Sequence, residues 1–161
     1  AYNAAFKTDQ IRYRTHVKNV GWQGFVGDGV VSGTSGRSLR LEGININIGS
    51  ESGISGGVEY RTHVQNIGWE SRWKSNGAMS GTSGRSLRLE AIQIRLTGAA
   101  KSKYDIYYRV HCQNIGWMGW AKNGSPAGTA GYAYRLEAIQ IKLVPKGGLA
   151  PGSTAYAYRQ R

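Results

Sequence analysis

From Tyr60 to Gln65 the side chains alternate in character: Tyr60, Thr62 and Val64 fall on one side, and Arg61, His63 and Gln65 on the other. A period of two marks a strand with one buried face. A longer run from Leu87 to Leu96 reads as a second strand. Its apolar phase shifts between Ala91 and Ile92, which predicts a bulge or a strand covered on both faces near its end. Asn-Gly and Gly-Thr-x-Gly segments lie between the two runs and supply the residues of tight turns. No stretch sustains a helical period.

The same pattern is written three times. Tyr13, Tyr60 and Tyr108 open the copies at spacings of 47 and 48 residues, a period typical of repeat architectures. Arg14, Arg61 and Arg109 recur in register, as do His16, His63 and His111, and Asn19, Asn66 and Asn114. A Gly-Trp pair ending in Trp22, Trp69 or Trp117 follows, then a second aromatic, Phe25, Trp73 or Trp120. Arg-Leu-Glu triplets begin at Arg40, Arg88 and Arg135, and copy two carries one extra residue around Ser71 and Arg72. The chain is expected to form a single domain, 1–161, of three repeats at 13–48, 60–96 and 108–143. Residues 1–10 and 144–161 are expected to be tails, the second a loose end rich in Gly, Pro and Ser. A unit of three or four strands cannot bury its own apolar face, so the copies should pack together. The expectation is an all-β, threefold pseudosymmetric, β-prism-like fold, with a β-trefoil as the alternative. The long, flat final strand favours the prism.

Composition narrows the partners. The chain of 161 residues has 21 Lys and Arg against 9 Asp and Glu, a net charge of +12. That suits anionic partners: nucleic acid, teichoic-acid-like polymers, sulfated glycans or an anionic membrane surface. No apolar run approaches a membrane span, and no export signal is recognisable, so an exported protein would carry its signal elsewhere. Twenty-four Gly against three Pro predict many tight turns rather than a disordered linker. Cys112 stands where the other copies have Val17 and Val64 and reads as a small buried apolar residue.

The tryptophans of Gly-Trp sit in an apolar pattern and read as core residues whose indole N–H meets a backbone acceptor. The second aromatic, beside its turn residue, is the better ligand platform: Trp73 with Asn76, Trp120 with Asn123, and Phe25 with Asp28. A phenyl ring beside a carboxylate should make copy one the weakest. Gly-Thr-x-Gly followed by Arg37 or Arg85 could form a backbone nest for an anion; copy three has Tyr132 there. A metal site is not expected, because each His lies beside an Arg on the face opposite Tyr and Val. Each His and its neighbouring Arg should instead join a polar network with Glu42, Glu90 and Glu137. Glycoside hydrolysis needs paired carboxylates, whereas only one acid recurs per copy. No catalytic residues and no cofactor are therefore expected.

The composite motif H-V-Q-N-I-G-W-x-x-W, N-G, G-T-x-G and L-R-L-E-A-I-Q-I resembles the clostridial hydrophobic repeat with conserved tryptophan, the ChW-type repeat. The resemblance covers all three copies, from Tyr13 to Leu143. Copy one departs from it at Phe25 and Asp28. It implies a non-catalytic, secreted or cell-surface module of a Gram-positive bacterium. Such a module binds carbohydrate or cell-wall polymer, with up to three related sites, and is attached to a larger hydrolase or adhesin. The rivals are a structural or adhesive module that packs on a protein partner and, less favoured, a nucleic-acid binder suggested by charge and aromatic content alone.

Overall fold

The computed structural model describes residues 8–161; residues 1–7 of the expected N-terminal tail lie outside the described residues. Each copy opens with a strand, Ile11–Val17, Gly57–Val64 or Tyr104–Cys112, and closes with another, Leu41–Ile48, Leu89–Thr97 or Leu136–Pro145. The two pair antiparallel in every copy. The predicted alternation holds, since Ile11, Tyr13, Thr15 and Val17 are buried while Arg12, Arg14 and His16 are half-buried on the outer face. Gly21–Trp22, Gly68–Trp69 and Gly116–Trp117 fold back on the ends of the opening strands. The turn that allows this places Asn19, Asn66 and Asn114 at φ of 64°, 65° and 68°, a left-handed conformation that asparagine tolerates better than most residues.

The Gly-Thr-x-Gly segment leaves its own copy. Ser32–Gly33 pairs with the closing strand of copy three, Ser80–Gly81 with that of copy one, and Ala127–Ala130 with that of copy two. Three sheets result, each assembled from two copies, and none closes into a barrel. The all-β expectation holds, and the barrel that a trefoil would need is not formed among the described residues. The exchange needs its first glycine. Gly33, Gly81 and Gly128 lie at φ of 102°, 96° and 112°. A Cβ at Gly81 would stand 2.5 Å from the Glu42 carbonyl oxygen, with the same approach at Gly33 to Glu137 and at Gly128 to Glu90.

One core fills the space between the sheets and takes Tyr13, Tyr60 and Tyr108 from the three copies, with isoleucines, leucines and valines from both long strands of each. The tyrosines join the copies through hydrogen bonds. The Ile141 amide of copy three donates to the Tyr13 hydroxyl at 3.1 Å and the Ile46 amide of copy one to the Tyr60 hydroxyl at 3.2 Å. Each hydroxyl then donates to a carbonyl of its own copy, Val30 or Ala78. Burial pushes all three phenols above their ordinary pKa. Cys112 is buried as expected, and burial pushes its thiol up to about 11.

Two expectations need correction. The irregularity in the closing strand lies one residue before Ala91: the register passes from Leu89 directly to Ala91, so Glu90 is the bulged residue. Glu42 and Glu137 are bulged in the same way. Residues 144–161 are also not a loose end. Tyr158–Gln160 adds to Ala127–Ala130 as a parallel strand, and Ser153 and Ala157 carbonyls accept from the Trp120 and Gly128 amides, both at 2.9 Å. The reason is local. The equivalent Gly33 and Gly81 amides are satisfied by the Gln23 and Glu70 side chains, at 2.7 and 3.1 Å. Copy three has Met118 at that position and must take its acceptor from the C-terminal segment. A six-residue helix, Gly98–Lys103, joins copies two and three; at this length it leaves no helical period in the sequence.

Candidate functional site

The outward residues of each opening strand build a ladder of rings and cations. In copy one, the Arg14 guanidinium lies 4.7 Å from the Trp22 ring centroid and 4.9 Å from that of Phe25, so it sits between them. Arg61 stands 5.6 Å from Trp69 and 5.1 Å from Trp73, and Arg109 stands 4.8 Å from Trp117 and 5.1 Å from Trp120. A guanidinium over an indole face is held by the ring quadrupole. The position of each Arg is also fixed by hydrogen bonds, since Nε donates to Asn45, Gln93 or Gln140 on the paired closing strand at 3.0, 2.6 and 2.7 Å. Those amides donate in turn to the Gly77, Gly124 or Gly29 carbonyl of the next copy round the ring.

Below the ladder, His16, His63 and His111 meet their tryptophans edge-on at centroid distances of 5.3, 5.4 and 5.4 Å. Each His Nδ1 faces the bulged glutamate of its own copy: Glu42 at 3.0 Å, Glu90 at 2.8 Å and Glu137 at 2.9 Å. A bulge re-aims a side chain, and here it turns the carboxylate toward the outer face. The network differs from the expectation in one member. The second partner of each glutamate is Arg40, Arg88 or Arg135, at 2.8, 2.8 and 2.9 Å, while Arg14, Arg61 and Arg109 belong to the aromatic ladder. The three histidines stay in their own copies and do not converge.

The tryptophans of Gly-Trp are not core residues. Trp22, Trp69 and Trp117 are half-buried on the outer faces, and the Trp69 indole meets the Tyr158 hydroxyl rather than a backbone acceptor. The large inner positions are already taken by the tyrosines. The second aromatics differ from one another. Phe25 and Trp73 are half-buried, and Trp73 carries a second cation, Arg95, 3.8 Å from its centroid. Trp120 is only 7 % exposed and packs with Tyr107, Val144 and Ala150 under the C-terminal segment. Copies two and three, alike in sequence here, therefore present different surfaces.

The turn residues are occupied by the fold. Asp28, Asn76 and Asn123, at φ of 33°, 46° and 46°, accept from the Ile11, Val58 and Ile106 amides at 3.0, 2.9 and 2.9 Å. Their oxygens close the start of the opening strand. Asn123 also donates to Asp105 at 2.9 Å. Burial raises the Asp105 carboxyl, but bonds from Asn123 and Gly147, with Lys146 and Lys122 close by, outweigh it and hold the group well below the usual carboxylate range. Arg37 and Arg85 are exposed, and one amide of the glycine loop before each is engaged by a neighbouring copy. The Thr34 and Thr82 amides donate to the Glu137 and Glu42 carbonyls, both at 2.9 Å. Sequence reasoning did not single out Lys18, Gln65 and Gln113, which share one register position and line a common cavity. The signal was available as the single lysine in that position.

No curated protein and no solved structure matches the chain. The family described as Clostridial hydrophobic W, ChW, matches three times, over residues 16–49, 63–98 and 111–145. Each match takes in the histidine, the Gly-Trp tryptophan and the bulged glutamate of one copy, while Arg14, Arg61 and Arg109 of the ladder stand two residues before the matched spans, and the chain belongs to the ChW family.

Proposed function

We propose that the protein is a non-catalytic binding module for carbohydrate or cell-wall polymer, with the β-prism-like arrangement as its scaffold. One observation supports this reading above the others. Each copy carries a half-exposed Trp held edge-on by a histidine and face-on by an arginine. A ring fixed before the ligand arrives costs little entropy on binding, and an indole with neighbouring donors suits a sugar ring. The net charge of +12 extends the reading to anionic wall polymers. The site is built on Trp69, Trp73 and Arg61 of copy two and on Trp22 and Phe25 of copy one. Arg37 and Arg85 are further contacts on the exposed loops. Secretion, display on a Gram-positive surface and attachment to a larger hydrolase or adhesin belong to the same proposal.

A specific observation favours a second reading, a protein-interaction module. Val20 and Ile67, at the tips of the first turns, are 45 % and 49 % exposed. Pull-down on purified peptidoglycan, with and without wall teichoic acid, together with a glycan array, tests both. Retention on the wall with saturation by a soluble fragment supports the first reading. Absence of retention on wall and array alike overturns it.

A further inference from the structure

The outer faces leave one feature unexplained, and it lies where the three copies meet. A cavity of about 360 Å³ is lined by three positions taken from every copy. Arg40, Arg88 and Arg135 form one set, and Lys18, Gln65 and Gln113 the second. The exposed Ser38, Ser86 and Ala133 complete it.

Each arginine is oriented from behind. Its Nε donates to the bulged glutamate of its copy at 2.8 to 2.9 Å. A guanidinium carries five N–H donors, and no other protein acceptor reaches these three among the described residues. The terminal nitrogens are therefore left for the cavity. Gln65 and Gln113 use their carbonyl oxygens on the Arg88 and Arg135 amides, both at 3.2 Å, which leaves their NH2 groups. The Lys18 side chain has only donors, and no carboxylate among the described residues lines the cavity. The three arginines are balanced by Glu42, Glu90 and Glu137, but among the described residues the ammonium of Lys18 has no such partner.

A neutral sugar donates as well as accepts, and most of its hydroxyl protons would go unmatched here. A phosphate group offers mostly acceptors. We infer that the cavity binds a phosphate group, as inorganic phosphate or a small phosphomonoester, through the terminal nitrogens of Arg40, Arg88 and Arg135 with Lys18 as the fourth cation. Arginine forks match phosphate geometry, and the volume lies at the small end of ligand sites, which fits a phosphoryl group with a small substituent. The inference does not rest on the carbohydrate reading, because the two sites share no residue.

Calorimetric titration of the full chain at low ionic strength with inorganic phosphate, glycerol phosphate and glycerol tests it. Both phosphates should bind saturably and glycerol should not, and the ratio of the two phosphate affinities separates free phosphate from an ester as the source. Lys18→Gln installs the residue that copies two and three already hold at this position. It should keep the ligand-free Tm and bind phosphate about tenfold more weakly, as expected for one lost charge at short range. Arg88→Lys, which keeps charge but loses the fork, should also weaken binding. Trp73→Ala should bind phosphate as the wild type does. Absence of saturable heat with both phosphates, or equal affinity in wild type and Lys18→Gln, would overturn the inference.

Discussion

The Ile46 amide of copy one donates to the Tyr60 hydroxyl of copy two at 3.2 Å, inside the core and across the boundary between repeats. The same hydroxyl donates to the Ala78 carbonyl, so one buried oxygen serves two backbone groups. Tyr60→Phe removes it without opening a cavity, and it leaves both groups without a partner. The expected cost is about 1–3 kcal/mol, read by urea denaturation. Because the bond crosses copies, the loss should appear in a single cooperative transition of the whole chain. Residues 57–97 alone, with their partner strands missing, should be unfolded by circular dichroism; a folded fragment contradicts the shared core.

Gly81 gives a second test of strand exchange. Its φ of 96° and the 2.5 Å approach of a Cβ to the Glu42 carbonyl leave no room for alanine without moving the exchanged strand. Gly81→Ala should lower stability by about 1–3 kcal/mol from the backbone conformation alone. Gly84 has a similar φ of 73°, but nothing lies near its Cβ. Gly84→Ala should therefore lose less, and equal losses at the two sites would argue against the close contact.

Asp105 makes stability depend on acid. Its carboxyl is held well below the usual range in the folded state by Asn123, Gly147, Lys146 and Lys122, while an unfolded Asp titrates near 3.9. The folded state therefore binds fewer protons than the unfolded state in acid, and stability rises with pH through this window. The contribution is complete above about pH 5 and is lost as pH falls through the folded value. Asp105→Asn should be less stable at pH 7, with a shallower decline below about pH 5 in a denaturation series. A parallel decline in both proteins would remove Asp105 as the source.

Much of the fold was legible because strands and turns leave local marks. Tyr60, Thr62 and Val64 declare the inner face by alternation, and the extra residue in copy two falls at Ser71 and Arg72, both exposed. Strand exchange was not legible, since the pairing of Gly81 with Gly43 depends on a partner in another copy and has no local pattern. The site was read less well. Asn76 looked like a ligand contact because an Asn-Gly turn and an Asn-mediated contact share one sequence, and only the 2.9 Å bond from Val58 separates them. Trp73 and Trp120 look equivalent in their repeats; what distinguishes them is a segment some 30 residues further along the chain. The glutamates were visible as a recurrence, but their direction depends on the bulge.

That difference between Trp73 and Trp120 separates binding from stability. Trp120 is 7 % exposed, and Gly152 approaches its indole so closely that a Cβ there would lie 3.0 Å from Nε1. Trp120→Ala removes a large buried ring and should cost about 3–5 kcal/mol. Trp73 is half-buried with Arg61 and Arg95 close to its ring, so Trp73→Ala should cost less stability. On the proposed function it should lose most of the wall binding that copy two contributes. Phe25→Ala, with a smaller ring near Arg12 and Arg14, should reduce binding less than Trp73→Ala. Pull-down on a polymeric wall preparation and thermal unfolding, run on the same three variants, give the two readouts. Trp120→Ala should alter the melting curve and, where folded, retain binding. If Trp73→Ala keeps full binding while Trp120→Ala loses it at unchanged Tm, the covered ring is the one that meets ligand, and the C-terminal segment must move aside to admit it.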